Sequence, residues 1–422
     1  MPQNQPQIHN FGCRLNIYEG ELMRENLKNN NAEDVIVVNS CAVTNEAERQ
    51  SRQAVRKLHK QYPDKKIIFT GCAAQINPEK YADMPEISQV IGNQEKANIA
   101  KFISDDEPLV VNDIMAAKEG ASHLLDDNIV TNFEHNTRAF LQIQNGCNHR
   151  CTFCIIPFGR GNNRSVPFGA IASQASKLVD QGYNEIIFTG VDITDYGKDL
   201  PGQPTLGQIC RRLLKNLPNL KRLRLSSIDV AEFDEDLYDL LANEPRLMPH
   251  LHISLQAGDD MVLKRMKRRH TRDDLYKFAE RARALRPDVV FGADIIAGFP
   301  TETDEMFNNT AQIVQDLNLI HLHVFPYSAR QGTPAAKMPQ VPMATRKGRA
   351  KILRDLGEAN LVKHLQTQID LPQQVLVESG SKGKTEQYLE VDLSTVKDIA
   401  DKKGQVINVT PTGVSELSLT TK

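Results

Sequence analysis

Short apolar runs alternate with helical segments along most of this chain, and a cysteine stands just beyond the end of several of those runs. Gln7–Phe11, Val35–Asn39 and Lys66–Thr70 read as buried strands, and Cys13, Cys41 and Cys72 follow them. Asn16–Asn29 and Glu46–Gln61 carry helical spacing in between. Gln89–Gly92 adds a fourth strand, with a helix from Gln94, and Leu109–Val111 an edge strand. Such alternation predicts a parallel, doubly wound sheet. In that architecture the carboxyl ends of neighbouring strands line one crevice, where ligands bind. Three thiols distant in sequence would then converge in space, and Gly12 and Gly71 would let the backbone approach a bulky inorganic group. The alternative is three unrelated core cysteines.

The alternation resumes after a polar stretch, Ser104–Asn136. Six further strands are expected at Phe140–Gln144, Glu185–Thr189, Lys221–Ser226, His250–Gln256, Val289–Ala297 and Ile320–Pro326. Helical segments such as Ala172–Gln181, Asp234–Ala242, Asp273–Leu285 and Glu302–Leu317 separate them. Six βα units fall short of the eight in a closed barrel, so a partial (β/α)6 barrel is expected. A long basic helix, Met343–Gln368, ends this unit. The tail is β-rich at Gln373–Glu378, Tyr388–Leu393 and Gln405–Thr410, which suggests a small antiparallel β-barrel. The fold class is therefore α/β, with domains at 1–118, 137–368 and 369–422 and a linker at 119–136.

Asn145-Gly146-Cys147-Asn148-His149-Arg150-Cys151-Thr152-Phe153-Cys154 follows the first strand of the central unit. That places a Cys-x3-Cys-x2-Cys loop at the face where barrel active sites sit. Three thiolates on one loop can hold three irons of a cubane, leaving a fourth iron open, unlike four-cysteine electron-transfer clusters. An open iron can bind the amino and carboxylate groups of S-adenosylmethionine. A structural zinc site, with His149 as fourth ligand, is the alternative. Cys210 lies in a helical pattern and reads as a packed core residue.

Composition narrows the class. Hydrophobic residues make up 40% of 422, which excludes disorder as the main state. Lys+Arg number 51 against 53 Asp+Glu, so a globally basic binder is excluded while local basic faces are not. Seven cysteines, an odd number, with no signal-like N-terminus argue against a disulfide framework. No apolar run approaches a membrane span, so a cytoplasmic protein is expected.

Taken together, these residues resemble the methylthiotransferase branch of the radical S-adenosylmethionine enzymes, over essentially the whole chain. The stretches that carry the resemblance are Gly12-Cys13-Arg14-Leu15-Asn16, Asn39-Ser40-Cys41-Ala42-Val43-Thr44, Gly71-Cys72-Ala73-Ala74-Gln75 and Cys154-Ile155-Ile156-Pro157 with Arg160-Gly161. Arg164-Ser165-Val166-Pro167, Leu225-Ser226-Ser227-Ile228-Asp229 and Phe325-Pro326-Tyr327-Ser328 look most like the MtaB-type branch, which acts on tRNA threonylcarbamoyladenosine 3′ of the anticodon. The resemblance implies two [4Fe-4S] clusters. Cys147, Cys151 and Cys154 would hold the one that cleaves S-adenosyl-L-methionine to a 5′-deoxyadenosyl radical, which takes hydrogen from carbon 2 of the base. Cys13, Cys41 and Cys72 would hold an auxiliary cluster carrying the sulfur, methylated by a second S-adenosylmethionine. Gly190, Asp192, Ser226, Ser227, Gln256, Asp294 and Ile296 match cofactor-contacting positions, although Thr189-Gly190-Val191-Asp192 departs from the usual Gly-Gly-Glu. The tail resembles a TRAM domain, an RNA-binding barrel in which Tyr388 is the clearest aromatic.

Phosphate contact needs local positive clusters. Lys264, Arg265, Lys267, Arg268 and Arg269 form the densest, and Arg346, Lys347 and Arg349 a second. A third comprises Arg211, Arg212, Lys215, Lys221, Arg222 and Arg224. The partners expected are tRNA, an electron donor of flavodoxin or ferredoxin type, and a sulfur donor. Competing functions are methylthiolation of isopentenyladenosine or of a ribosomal-protein aspartate, and, in a different class, a non-catalytic metal-bound RNA-binding protein.

Overall fold

The computed structural model describes residues 6–32, 34–103, 107–117, 130, 132, 133 and 136–421. Most of the expected linker, 119–136, lies outside them. The N-terminal unit is a parallel sheet of β1 (Gln7–Asn10), β2 (Val35–Ser40), β3 (Lys66–Gly71), β4 (Gln89–Ile91) and β5 (Leu109–Val110), in that order. Every residue of β2 is buried. Alternation along the pleat sends Ile36, Val38, Ile67 and Phe69 to one face and Val35, Val37 and Ile68 to the other. Helices Arg14–Asn29 and Asn45–Gln61 connect the strands, the second beginning behind Thr44, whose hydroxyl accepts the Ala47 N–H.

The central unit contains β6 (Ala139–Gln142), the short pair β7 (Gln144–Asn145) and β8 (Arg164–Ser165), β9 (Glu185–Thr189), β10 (Arg222–Leu225), β11 (His250–Gln256), β12 (Val290–Ala297) and β13 (His321–Pro326). β6, β9 and β10 form one parallel sheet and β11, β12 and β13 another. Parallel bridges Leu223–Leu247 and Ile228–Ile253 join the two, so six parallel strands follow one another in chain order. The tail holds β14 (Gln373–Ser379), β15 (Lys382–Thr385), β16 (Glu390–Asp392), β17 (Val406–Val409), β18 (Gly413–Ser415) and β19 (Ser418–Thr420), ordered β17-β14-β15-β16-β19-β18. It is not wholly antiparallel, because β16 and β19 run parallel. Among the described residues no helix is long and apolar enough to cross a membrane.

One expectation about charge is corrected here. Arg222 and Arg224 belong to no surface cluster: both are buried, paired with Glu185, and they donate to tail carbonyls of Gln374, Lys384, Thr385 and Glu386. Tyr388, the clearest aromatic of the tail, is turned inward. Its ring lies flat against His250 at 5.3 Å, with Arg14, Arg138, Arg224 and Lys384 around it. Period-2 and loop patterns show that a residue is polar, not that a second sheet will cover it.

The N-terminal and central units are locked together by buried ion pairs. Arg160 donates to both Glu19 oxygens at 2.8 and 3.0 Å and to Asn16 Oδ1, while Lys96 Nζ reaches Glu19 at 2.6 Å. Across the interface Arg330 meets Glu48 at 2.7 Å. Burial pushes the Glu19 carboxyl up, but the Arg160 and Lys96 charges outweigh it and hold it at about 2. Removing one partner of such a network strands the others, so Glu19→Ala is expected to cost about 3–5 kcal/mol in denaturant unfolding. Because the folded-state pKa is depressed, the carboxylate's contribution is complete above about pH 4.3 and is lost as pH falls toward 2. A Glu19→Ala protein that unfolds at the wild-type midpoint would contradict this.

Candidate active site

The loop between β7 and helix Ile156–Arg160 carries Cys147, Cys151 and Cys154. Backbone bonds fix it: the Cys147 N–H donates to Gly161 O at 3.0 Å, Cys154 N–H to Cys151 O at 3.0 Å, and Thr152 N–H to Met266 O at 3.1 Å. Gly146 has φ +71, and a side chain there would strike the Asn162 carbonyl, so only glycine starts this loop. All three thiols line one cavity of about 310 Å³. The His149 N–H points at Cys147 Sγ (3.4 Å), and Arg268 Nη1 lies 4.0 Å from Cys151 Sγ. Burial pushes the Cys147 and Cys154 thiols up to about 12, so free thiols here stay protonated at neutral pH until a metal displaces the protons.

The donor set fits a cluster better than a single ion. Ligand sulfurs around one tetrahedral zinc stand about 3.8 Å apart, given Zn–S bonds near 2.3 Å. Among the described residues, neither cysteine triad forms a group with all three ligand atoms within 4.8 Å. His149 lies 3.3 Å from Asp192 and groups with Asp192 and Cys147, not with Cys151 and Cys154. That removes the zinc arrangement in which His149 completes the three cysteines.

Asp192, Gln256, Asp294 and Ile296 line the same cavity. Gly190, Ser226 and Ser227 do not. A side chain on Gly190 would press on Gln144, whose Oε1 accepts the Val191 and Asp192 N–H groups at 2.9 Å. Ser227 Oγ donates to Asp294 Oδ2 at 3.2 Å, so it orients a lining residue. Gln256 sits at φ +65, beside a register shift between Ile253 and Gln256, and this irregularity ends the ladder at the cavity. Burial raises the Asp294 carboxyl, yet His252 and His323 hold it well below the usual range.

Sequence reasoning did not single out Asp229 as a site residue. Arg268 lies on the cavity wall: it donates to Asp229 Oδ2 and the Ser254 carbonyl at 2.9 Å and faces the cysteine loop. Arg269 pairs with Asp229 and Glu232, and Arg265 reaches the Thr301 carbonyl. Arg346 and Arg349 are buried, the first against the Val341 and Tyr327 carbonyls, the second against Glu302 and Asp304. Of the named cations, Lys264, Lys267, Lys347, Arg212, Lys215 and Lys221 are exposed, as are Arg211 and Arg269 within their ion pairs. A charge run signals position, and here the acid partners came from distant strands and loops.

The second triad gathers at the carboxyl ends of β1, β2 and β3. A methyl group on Gly12 would lie 2.7 Å from Cys41 Sγ. Burial first, then the Cys72 and Cys13 sulfurs, pushes the Cys41 thiol up to about 12. Gly12 and Gly71 permit close approach to protein: Cys41 in one case, the Ser40 backbone in the other. The Val43 N–H and the Asn93 side-chain amide point at Cys41 and Cys72 sulfurs at 3.5 and 3.7 Å. The two triads adjoin. Val43 and Thr44, just after Cys41, line the cavity that holds Cys147, Cys151 and Cys154. Gly159 of the central unit packs on Cys72, where a methyl would stand 3.2 Å from its Cβ.

Comparison with known proteins bears on these sites. Residues 141–314 match the Radical SAM superfamily, and residues 5–92 match the "Uncharacterized protein family UPF0004". The chain is 51% identical over 410 residues to "Threonylcarbamoyladenosine tRNA methylthiotransferase MtaB" of Rickettsia prowazekii, covering 97% of this chain and 95% of that one. It is 34% identical to the protein of that name in Bacillus subtilis, with 94% and 91% covered. Among solved structures, the radical S-adenosylmethionine methyltransferase TsrM of Kitasatospora setae shares the fold, with TM-score 0.56, 14% identity, and 80% and 77% of the chains covered.

Proposed function

This chain belongs to the MtaB-type radical S-adenosylmethionine methylthiotransferases, and we propose that it converts threonylcarbamoyladenosine at tRNA position 37 to its 2-methylthio derivative. The observation that carries the reading is the shared cavity, with one cysteine triad and the two residues Val43 and Thr44, just after Cys41, all on its wall. Residues 1–118 serve as the auxiliary-cluster domain, 137–368 as a partial (β/α)6 barrel and 369–422 as a TRAM-like tail.

When bound, a [4Fe-4S] cluster and S-adenosyl-L-methionine supply one-electron chemistry that side-chain acids and bases cannot perform on an aromatic C–H bond. The chain's own residues hold and orient. Cys147, Cys151 and Cys154 ligate the cluster in the central unit, and Cys13, Cys41 and Cys72 a second [4Fe-4S] cluster. Arg268, tied to Asp229, places a positive charge beside Cys151 that offsets the charge of thiolate ligands. Asp192, Gln256, Asp294 and Ile296 shape the cofactor pocket, while Gly190, Ser226 and Ser227 support it. Lys264, Lys267 and Lys347 contribute phosphate contacts. The reaction consumes a reductant and sulfur, so an electron donor and a sulfur donor are partners, in the cytoplasm where tRNA is modified.

Mass spectrometry of tRNA nucleosides from cells with and without the gene tests this. The 2-methylthio derivative of threonylcarbamoyladenosine should vanish on deletion and return on complementation. Its persistence, or loss of methylthiolated isopentenyladenosine in its place, would overturn the substrate.

A further inference from the structure

A second cavity, of about 280 Å³, adjoins the first. Arg14, His250, His252, His321, His323 and Arg354 line it. Side chains two apart on a strand share a face. Along β11, His250 and His252 face this cavity, and Ser254 and Gln256 the first. Along β13, His321 and His323 do the same, followed by Phe325. One continuous inner surface therefore runs from cavity to cavity. Asp294 stands at the junction: it lines the first cavity, and its Oδ1 is 3.2 Å from both His252 Nε2 and His323 Nδ1.

The second cavity is furnished for a polar guest. His250 is 3% exposed, and neither of its ring nitrogens has a hydrogen-bond partner. A buried polar group left this way costs about 1–3 kcal/mol, and a ligand would recover it. Burial keeps His250 neutral and lowers His321 to about 3, so these rings offer neutral donors and acceptors, not charge. The His321 Nε2–H donates to the Gln387 carbonyl at 3.1 Å, which leaves Nδ1 as an acceptor. The cationic groups are Arg14, weakly held by Tyr388 Oη at 3.5 Å, and Arg354, anchored by a single bond to the Val324 carbonyl. Glu358 lines the same cavity and can accept from a hydroxyl or N–H.

Carbon 2 and carbon 6, which bears the exocyclic N6, flank N1 in the six-membered ring of adenine. Whatever N6 carries must therefore occupy space beside the cavity that receives carbon 2. We propose that the second cavity binds the N6 substituent of the substrate: Arg354 and Arg14 take its carboxylate, and His250, His321 and His323 pair with its urea and hydroxyl groups. This rests on the function proposed above, and it names the residues that separate an N6-linked amino acid from an N6-linked hydrocarbon.

The test uses the reconstituted holoenzyme and anticodon stem-loop RNAs carrying threonylcarbamoyladenosine as the free acid or as its methyl ester. A charge-assisted bidentate contact should make wild type favour the acid by on the order of 10²-fold in kcat/KM. Arg354→Gln should bring that ratio to within about threefold, and Arg354→Lys should restore only part of it, since a point charge attracts the carboxylate but lacks the bidentate fork. The ratio is taken within each variant, so a loss of folded enzyme cancels. Wild type that accepts the ester as well as the acid would overturn the proposal, and so would an unchanged ratio in Arg354→Gln. Wild type that methylthiolates neither RNA would instead overturn the substrate assignment.

Discussion

Replacing Cys151 with alanine is expected to abolish formation of 5′-deoxyadenosine, by at least about 10³-fold, equivalent to about 4 kcal/mol in the barrier. Cys147, Cys151 and Cys154 share one loop whose ends are tied to Gly161 and Met266, so no neighbouring sulfur can swing in as a substitute. Cys210 is fully buried in the apolar core, and the other triad sits in the N-terminal unit. Two thiolates anchor a cubane poorly. The substitution removes a single sulfur, and the loop's hydrogen bonds run through backbone and Thr152, so the fold should persist. Near-wild-type release of 5′-deoxyadenosine, measured anaerobically by chromatography, would exclude the radical assignment.

Cys41→Ala is expected to separate two activities. Cofactor cleavage should continue within about tenfold of wild type, while methylthio transfer falls below detection, a loss of at least about 10³-fold. The division follows from position. Cys41 lies just after a strand of the N-terminal sheet, close against Gly12, and Val43 and Thr44, which follow it, line the cavity that holds the Cys147 loop. A truncated side chain there removes one ligand and leaves the Arg160–Glu19 and Arg330–Glu48 locks intact. Normal yield of the methylthio nucleoside would remove this triad from the reaction.

Much of the fold was legible because burial and backbone period coincide. Glu185–Thr189 and His250–Gln256 emerge with the bounds the apolar runs gave, and β5 is the edge strand Leu109–Val111 suggested. Helix Asp260–Met266 was missed because its start is set by Asp259, which caps the Met261 and Val262 N–H groups, while its end is masked by the basic run that follows. β15, β18 and β19 are three or four residues long and mostly polar, too short for a period to register. In the site, the strand ends indicated which residues gather: Cys147, Cys151 and Cys154, with Asp192, Gln256, Asp294 and Ile296, line one cavity. Gly190 and Ser227 lie off the cavity wall because Gly190 packs on Gln144 and Ser227 bonds to Asp294. The basic residues were the least legible. Arg346 and Arg349 are three apart on one helix, on the same side as Leu353, and turn inward with it.

The central claim is that each cysteine triad holds a [4Fe-4S] cluster, Cys147, Cys151 and Cys154 on the cavity wall and Cys13, Cys41 and Cys72 behind the Val43–Thr44 side of it. Iron and acid-labile sulfide analysis with Mössbauer spectroscopy, on anaerobically reconstituted wild type and on the Cys147→Ala/Cys151→Ala/Cys154→Ala protein, tests it most directly. Two cubanes per wild-type chain and one in the triple variant are predicted. A wild type with one cubane, or a triple variant with none, would contradict it.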